Sequence, residues 1–207
     1  FKSISILSGP SFSNEVSQSL PTAVTLATKD KKDFENISKL IPNKEFRIYY
    51  SNDLIGTQIG GALKNIYAIA AGVAEGLNLG ENAKSALISR SFAEMTRYAK
   101  KFKADKNTLF GLSGLGDLIL TCSSKNSRNT QFGIKLASSK YDNFLDLLKS
   151  QEVTEGYYTV KAVYNISQKK NIDMPIMESV YNILYKQHDL KEELSNLLSR
   201  PITEEKI

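Results

Sequence analysis

The chain has 207 residues, 41% of them hydrophobic and 24% charged, which suits a globular protein with one good-sized core or one domain plus part of another. Its net charge of +5 comes from lysines scattered among acids, and the small clusters at Lys29 to Lys32, Lys100 to Lys103 and Lys169 to Lys170 lack interleaved aromatics, so nucleic acid is not the expected partner. Cys122 is the only cysteine, which excludes an intramolecular disulfide. No charged-then-apolar leader suggests export, and a reducing cytoplasm is the expected location.

Ser3 to Gly9 reads as a buried strand ending in a turn, and SFSNEV from Ser11 as the start of a helix. Thr22 to Ala27, rich in β-branched residues, and Phe46 to Tyr50 are two further strands. Between them, Phe34, Ile37 and Leu40 give Lys31 to Leu40 helical spacing. Alternating strands and helices predict an α/β sheet with crossover connections, too small to stand alone as a doubly wound domain. The chain is expected to begin inside a domain, with Asn43 to Asp53 as the junction.

From Asp53 onward the strands stop. Leu54 to Leu77 carries one cation, Lys64, among apolar and small residues, and Asn52 or Asp53 can cap it. Leu63, Ile66, Tyr67, Ile69, Ala70 and Val73 recur at helical spacing, while Gly61, Asn65, Ala68 and Gly72 form a small-residue stripe where another helix can approach. The stretch is about long enough to cross a bilayer, but Gln58, Lys64, Asn65 and its glycines predict a core helix instead, with no membrane insertion. A lysine held there loses water, which favours the neutral amine and makes Lys64 a candidate base. The alternative is a stem packed on the core with the ammonium reaching water.

A second long helix runs from Glu81 to Lys103, with Leu87, Phe92, Met95 and Ala99 on its apolar face. Gly111, Gly114 and Gly116 then lead tightly into DLILTC, and helices are predicted over Asn129 to Ser138, Asn143 to Lys149, Tyr157 to Lys169, Pro175 to Lys186 and Leu190 to Ser199. The fold class is therefore mainly α: residues 1–52 an α/β remnant, residues 53–207 an all-α body.

Asp117 and Thr121, four apart at a helix start, can meet a small ligand; equally, Asp117 can favour the helix N-terminus and Thr121 bond back to a carbonyl. Ser127, Arg128 and Asn129 precede another helical run. Arg128 offers a planar fork that matches phosphate, with helix amides beside it, or is a solvated arginine at an exposed cap. A nucleophile pair of Cys122 with His188, the only histidine, is set aside because neither neighbourhood would activate a thiolate. Neither G-x-G-x-x-G nor G-x-x-x-x-G-K-[ST] is present.

Taken in order, SGPSF, LPTA, GGALKNIYAIAAG, GLSGLGDLILTC, SRN and EGYYT resemble the bacterial NAD(P)-dependent glycerol-3-phosphate dehydrogenases along essentially the whole chain. The resemblance implies a dinucleotide-binding Rossmann domain, of which residues 1–52 are the tail, and an all-α substrate domain like that at the C-terminus of 6-phosphogluconate dehydrogenases. It implies NAD or NADP as cofactor, no metal, and a phosphate ester substrate, with conversion of sn-glycerol 3-phosphate to dihydroxyacetone phosphate feeding glycerophospholipid synthesis. Lys64 would be the proton acceptor. Arg128, Asn129 and Ser127 would hold the phosphate, Asp117 would orient the glycerol hydroxyls, Asn65 and Thr121 would support, and Gly9 and Ser11 would touch substrate. Ser13, Val153 and Glu155, with Arg128, would reach the cofactor. The family's glycine-rich first turn is absent, so a further N-terminal segment is an expected partner, and this chain alone is expected to bind dinucleotide weakly. A homodimer is compatible with the resemblance. Two other readings compete: a non-catalytic helical binding or oligomerisation module derived from such an enzyme, and a related dehydrogenase acting on another hydroxy acid.

Overall fold

The structure, a computed structural model, describes residues 3–41, 44–138, 154–201 and 204–205. It opens with β1 (Ser5–Ser8), a short helix α1 (Ser13–Ser17), β2 (Thr22–Thr28), α2 (Lys31–Lys39) and β3 (Phe46–Ser51). The strands form one sheet in the order β1, β2, β3. β2 is buried along nearly its whole length, as its run of Thr, Val, Leu and Ala requires of a central strand.

β2 and β3 pair in parallel through α2, as the alternation predicts. The β1 connection does not: β1 lies antiparallel to β2, with Ser5 opposite Thr28 and Ser8 opposite Thr25. The intervening α1 has five residues, too few to carry the chain back along the sheet, so the chain turns at Gly9 (φ +148°) and returns beside β1. Phe34 of α2 meets Tyr50 of β3 edge to face at 5.2 Å, seating that helix on the sheet.

The helical body is built on α3 (Leu54–Gly76). Asp53 caps it, one carboxylate oxygen accepting from the Gly56 amide and the other from the Asp105 amide, both at 2.8 Å. Around α3 stand α4 (Gly80–Lys101), α5 (Lys106–Phe110), a π-helical turn over Leu112–Gly116, α6 (Asp117–Ser123) and α7 (Arg128–Ala137). After residues 139–153 come α8 (Glu155–Lys170), α9 (Pro175–Lys186) and α10 (Leu190–Leu198). The predicted helix over Asn143 to Lys149, and Val153, lie outside the described residues.

Leu63, Ile66, Tyr67, Ala68, Ile69 and Ala71 of α3 are almost wholly buried among Met95, Leu118, Val160 and Met177 of its neighbours. The small-residue stripe divides its work. A Cβ on Gly72 would strike the Thr130 carbonyl of α7, and one on Gly133 would strike the Ile69 carbonyl, so α3 and α7 meet backbone to backbone. Gly61, by contrast, faces the Ser8 hydroxyl of β1 and not another helix. Among the described residues no helix is long and apolar enough to cross a membrane.

Candidate active site

Lys64 sits midway along α3 with its side chain 22% exposed. The sequence pictured its amine among apolar groups; the fold sets a buried carboxylate against it. Asp117, the first residue of α6, is 2% exposed, and its Oδ2 lies 2.6 Å from Lys64 Nζ. The Gly9 amide donates to the same carboxyl group. The Thr121 hydroxyl lies 2.6 Å from the Asp117 carbonyl and 3.2 Å from Oδ1. Burial pushes the Asp117 carboxyl above the usual aspartate range, while Lys64, Thr121 and the Gly9 amide pull it back. The pair therefore ties the turn after β1 to α3 and α6 at one point.

One residue along, Asn65 begins a second cluster. Its Nδ2 donates to Glu155 Oε2 at 3.1 Å, and its Oδ1 accepts from Asn129 Nδ2 at 3.0 Å. Asn129 Oδ1 in turn accepts from the Gly156 amide at 3.0 Å. A Cβ on Gly156 would come within 2.7 Å of both Asn129 Oδ1 and the Asn65 carbonyl, so this approach requires glycine. Asn65 and Asn129 are buried, whereas Glu155 is exposed at the first position of α8.

Ser127 is the N-cap of α7; its Oγ accepts from the Thr130 amide at 3.2 Å. That cap exposes Arg128 at the first helical position and leaves Asn129 at the second. The Thr130 hydroxyl, fully buried, donates to the Thr121 carbonyl at 2.8 Å and fixes α7 to the end of α6. Ser11 donates to the Gly9 carbonyl at 3.0 Å, while Ser13 is exposed at the start of α1.

The fold thus brings Gly9, Lys64, Asn65, Asp117, Thr121, Asn129 and Glu155 into two adjoining hydrogen-bonded clusters. Sequence reasoning missed Thr130 and the Gly9 amide as members. Thr130 could have been found as the third residue past a serine cap; the Gly9 amide left no signal. The excluded Cys122 and His188 are indeed apart in role. Cys122 is buried and its thiol pushed up to about 12 by that burial, while His188 contacts Glu193 at 2.7 Å.

Comparison with solved structures defines the class first. A glycerol-3-phosphate dehydrogenase from Coxiella burnetii superposes with a TM-score of 0.90 at 38% identity, over 96% of this chain and 61% of that one. A Plasmodium falciparum glycerol-3-phosphate dehydrogenase gives 0.85 at 28% identity, over 97% of this chain and 58% of that one. The family described as NAD-dependent glycerol-3-phosphate dehydrogenase C-terminus matches residues 53–195, and the chain belongs to that family. A curated relative from Solidesulfovibrio magneticus, named glycerol-3-phosphate dehydrogenase [NAD(P)+], is 47% identical over 201 residues, 97% of this chain and 60% of its own length. The chain therefore spans about 60% of the length of the relatives it matches.

Proposed function

We propose that this chain forms the substrate-binding and catalytic part of an NAD(P)-dependent glycerol-3-phosphate dehydrogenase, interconverting sn-glycerol 3-phosphate and dihydroxyacetone phosphate. The observation that carries the reading is Lys64 Nζ held at 2.6 Å from a buried Asp117, beside a helix N-terminus presenting Arg128 and Asn129. Residues 53–207 are the substrate-binding body and residues 1–52 the tail of the dinucleotide-binding domain.

In this reading the substrate phosphate lies at the start of α7, where Arg128 supplies a planar fork and the helix its positive end. Asn129 and Ser127 border the same anion, and Gly9 and Ser11 flank the glycerol carbons. Asp117 fixes the direction of Lys64 Nζ and orients the hydroxyl chain. In the oxidation direction Lys64 takes the proton of the secondary hydroxyl; in reduction it returns that proton to the carbonyl oxygen. Holding the phosphate remotely turns binding into alignment of the reacting carbon. The nicotinamide, when bound, accepts or supplies the hydride. Ser13, Arg128 and Glu155 suit its dinucleotide because all three are exposed polar side chains at helix N-termini, and Glu155 has a second carboxylate oxygen for a sugar hydroxyl. The product would feed glycerophospholipid synthesis in the cytoplasm.

The test is a chimera in which this chain replaces the matching part of the Solidesulfovibrio magneticus relative. It is expected to oxidise NADH with dihydroxyacetone phosphate, and Lys64→Ala is expected to lower kcat by roughly 10²- to 10⁴-fold. A folded chimera with no activity, or one indifferent to Lys64→Ala, rejects the catalytic reading and leaves a helical binding module.

A further inference from the structure

The chain of contacts from Glu155 through Asn65 and Asn129 to Gly156 has a direction. A backbone N–H can only donate, so the Gly156 amide requires Asn129 to turn its carbonyl oxygen toward α8. Asn129 must then offer Nδ2 to Asn65, whose Oδ1 accepts, leaving Asn65 Nδ2 facing Glu155 Oε2. An ionised carboxylate only accepts. The Gly61 carbonyl, at 3.4 Å, takes a longer bond from the same Nδ2, so a fixed donor at one end and two acceptors at the other, Glu155 the nearer, set both carboxamide orientations. Among the described residues nothing else takes the second Nδ2 hydrogen of Asn129, which sits on the second residue of α7.

We infer that Glu155 is a positioning residue for the anion site: acting through Asn65, it fixes the Asn129 carboxamide so that one N–H is held for a phosphate bound at the start of α7. This rests on the reading of Arg128 and Asn129 as the phosphate site. It gives Glu155 a substrate-side role in addition to its proposed place beside the cofactor. A donor at position 155 would stand against Asn65 Nδ2, and an Asn65 that reversed to accept it would lose the Gly61 carbonyl and turn Nδ2 toward Asn129 Nδ2, donor against donor. Either the buried Gly156 amide loses its acceptor or Asn129 turns away, and each disturbs the donor facing the anion.

The prediction opposes simple electrostatics. Glu155→Lys removes a negative charge and adds a positive one near a phosphate site, which by Coulomb attraction alone would tighten anion binding. The directional relay requires it to weaken. Binding of sn-glycerol 3-phosphate to the 207-residue chain, measured by titration calorimetry, is expected to fall about tenfold or more in Glu155→Lys. Glu155→Gln, which still offers an accepting oxygen, is expected to stay within about threefold of the parent, since the acceptor at the relay's end is retained. In the parent, the Asn129 side-chain amide signals should shift in ¹⁵N NMR spectra on adding the ester. If Glu155→Lys binds as tightly as the parent or more tightly while Arg128→Leu abolishes binding, the relay is wrong and the phosphate site stands. If the parent does not bind the ester, or Arg128→Leu leaves binding unchanged, the phosphate-site reading fails and the relay with it.

Discussion

Glu94 lies 1% exposed in the middle of α4, and its two carboxylate oxygens accept from the first amides of α9, Ile176 at 2.6 Å and Met177 at 3.1 Å. The Tyr67 hydroxyl stands 3.4 Å away on α3. Burial pushes this carboxyl up to about 7 from an ordinary 4.5, and the two amides only partly offset it. Between those values the folded chain binds more protons at Glu94 than the unfolded chain. This contribution to stability is therefore complete below about pH 4.5 and is lost as pH rises through about 7. Its span is roughly 3 kcal/mol. Urea unfolding at pH 5 and pH 8 should show a fall in stability for the parent that is smaller by about this amount in Glu94→Gln; equal falls would place the cause elsewhere. At this scale the sequence was legible only in part. Lys64 stood out as the one cation in an apolar helix, but nothing near it announced Asp117, 53 positions away in sequence. Glu94 was hidden between Phe92 and Met95, because a helical pattern shows which face is buried and not what a polar residue on that face will meet.

The contact between α3 and α7 governs the geometry of both clusters, since one helix bears Lys64 and Asn65 and the other Arg128 and Asn129. It is made through Gly72 and Gly133, whose Cα atoms each lie 2.9 Å from where a Cβ on the other would be. Gly72→Ala should therefore force the helices apart and cost about 1–3 kcal/mol or more in urea unfolding. Gly61→Ala should cost less, because the nearest atom is the Ser8 hydroxyl, a side chain that can rotate. The reverse order would show that the crossing tolerates separation. Element ends were the most readable feature of the sequence: Pro175 opens α9 as its fixed φ suggests, and Asp53 caps α3. The antiparallel turn of β1 was not readable, because alternation of strand and helix is the same for a crossover and for a return. The five-residue α5 was missed because one helical turn has too few residues to show a period.

For the molecule as a whole, α3 is the element that the others surround, while the sheet lies toward its N-terminal half through β1 and β2. Native-state hydrogen exchange should find the slowest amides between Leu63 and Ala71, with those of β3 and α2 opening earlier, since neither contains a fully buried residue. Protection in β3 equal to that in α3 would instead mean that sheet and helices unfold as one unit. The glycine crossing has a further consequence for how such a protein tolerates change over generations. Where side chains separate two helices, every substitution in the layer between them resets the spacing. Here main chain rests on main chain, so the gap between the lysine helix and the arginine helix is set by atomic radii common to all sequences. Substitutions can accumulate elsewhere in the core while that gap remains a ruler with no adjustable mark.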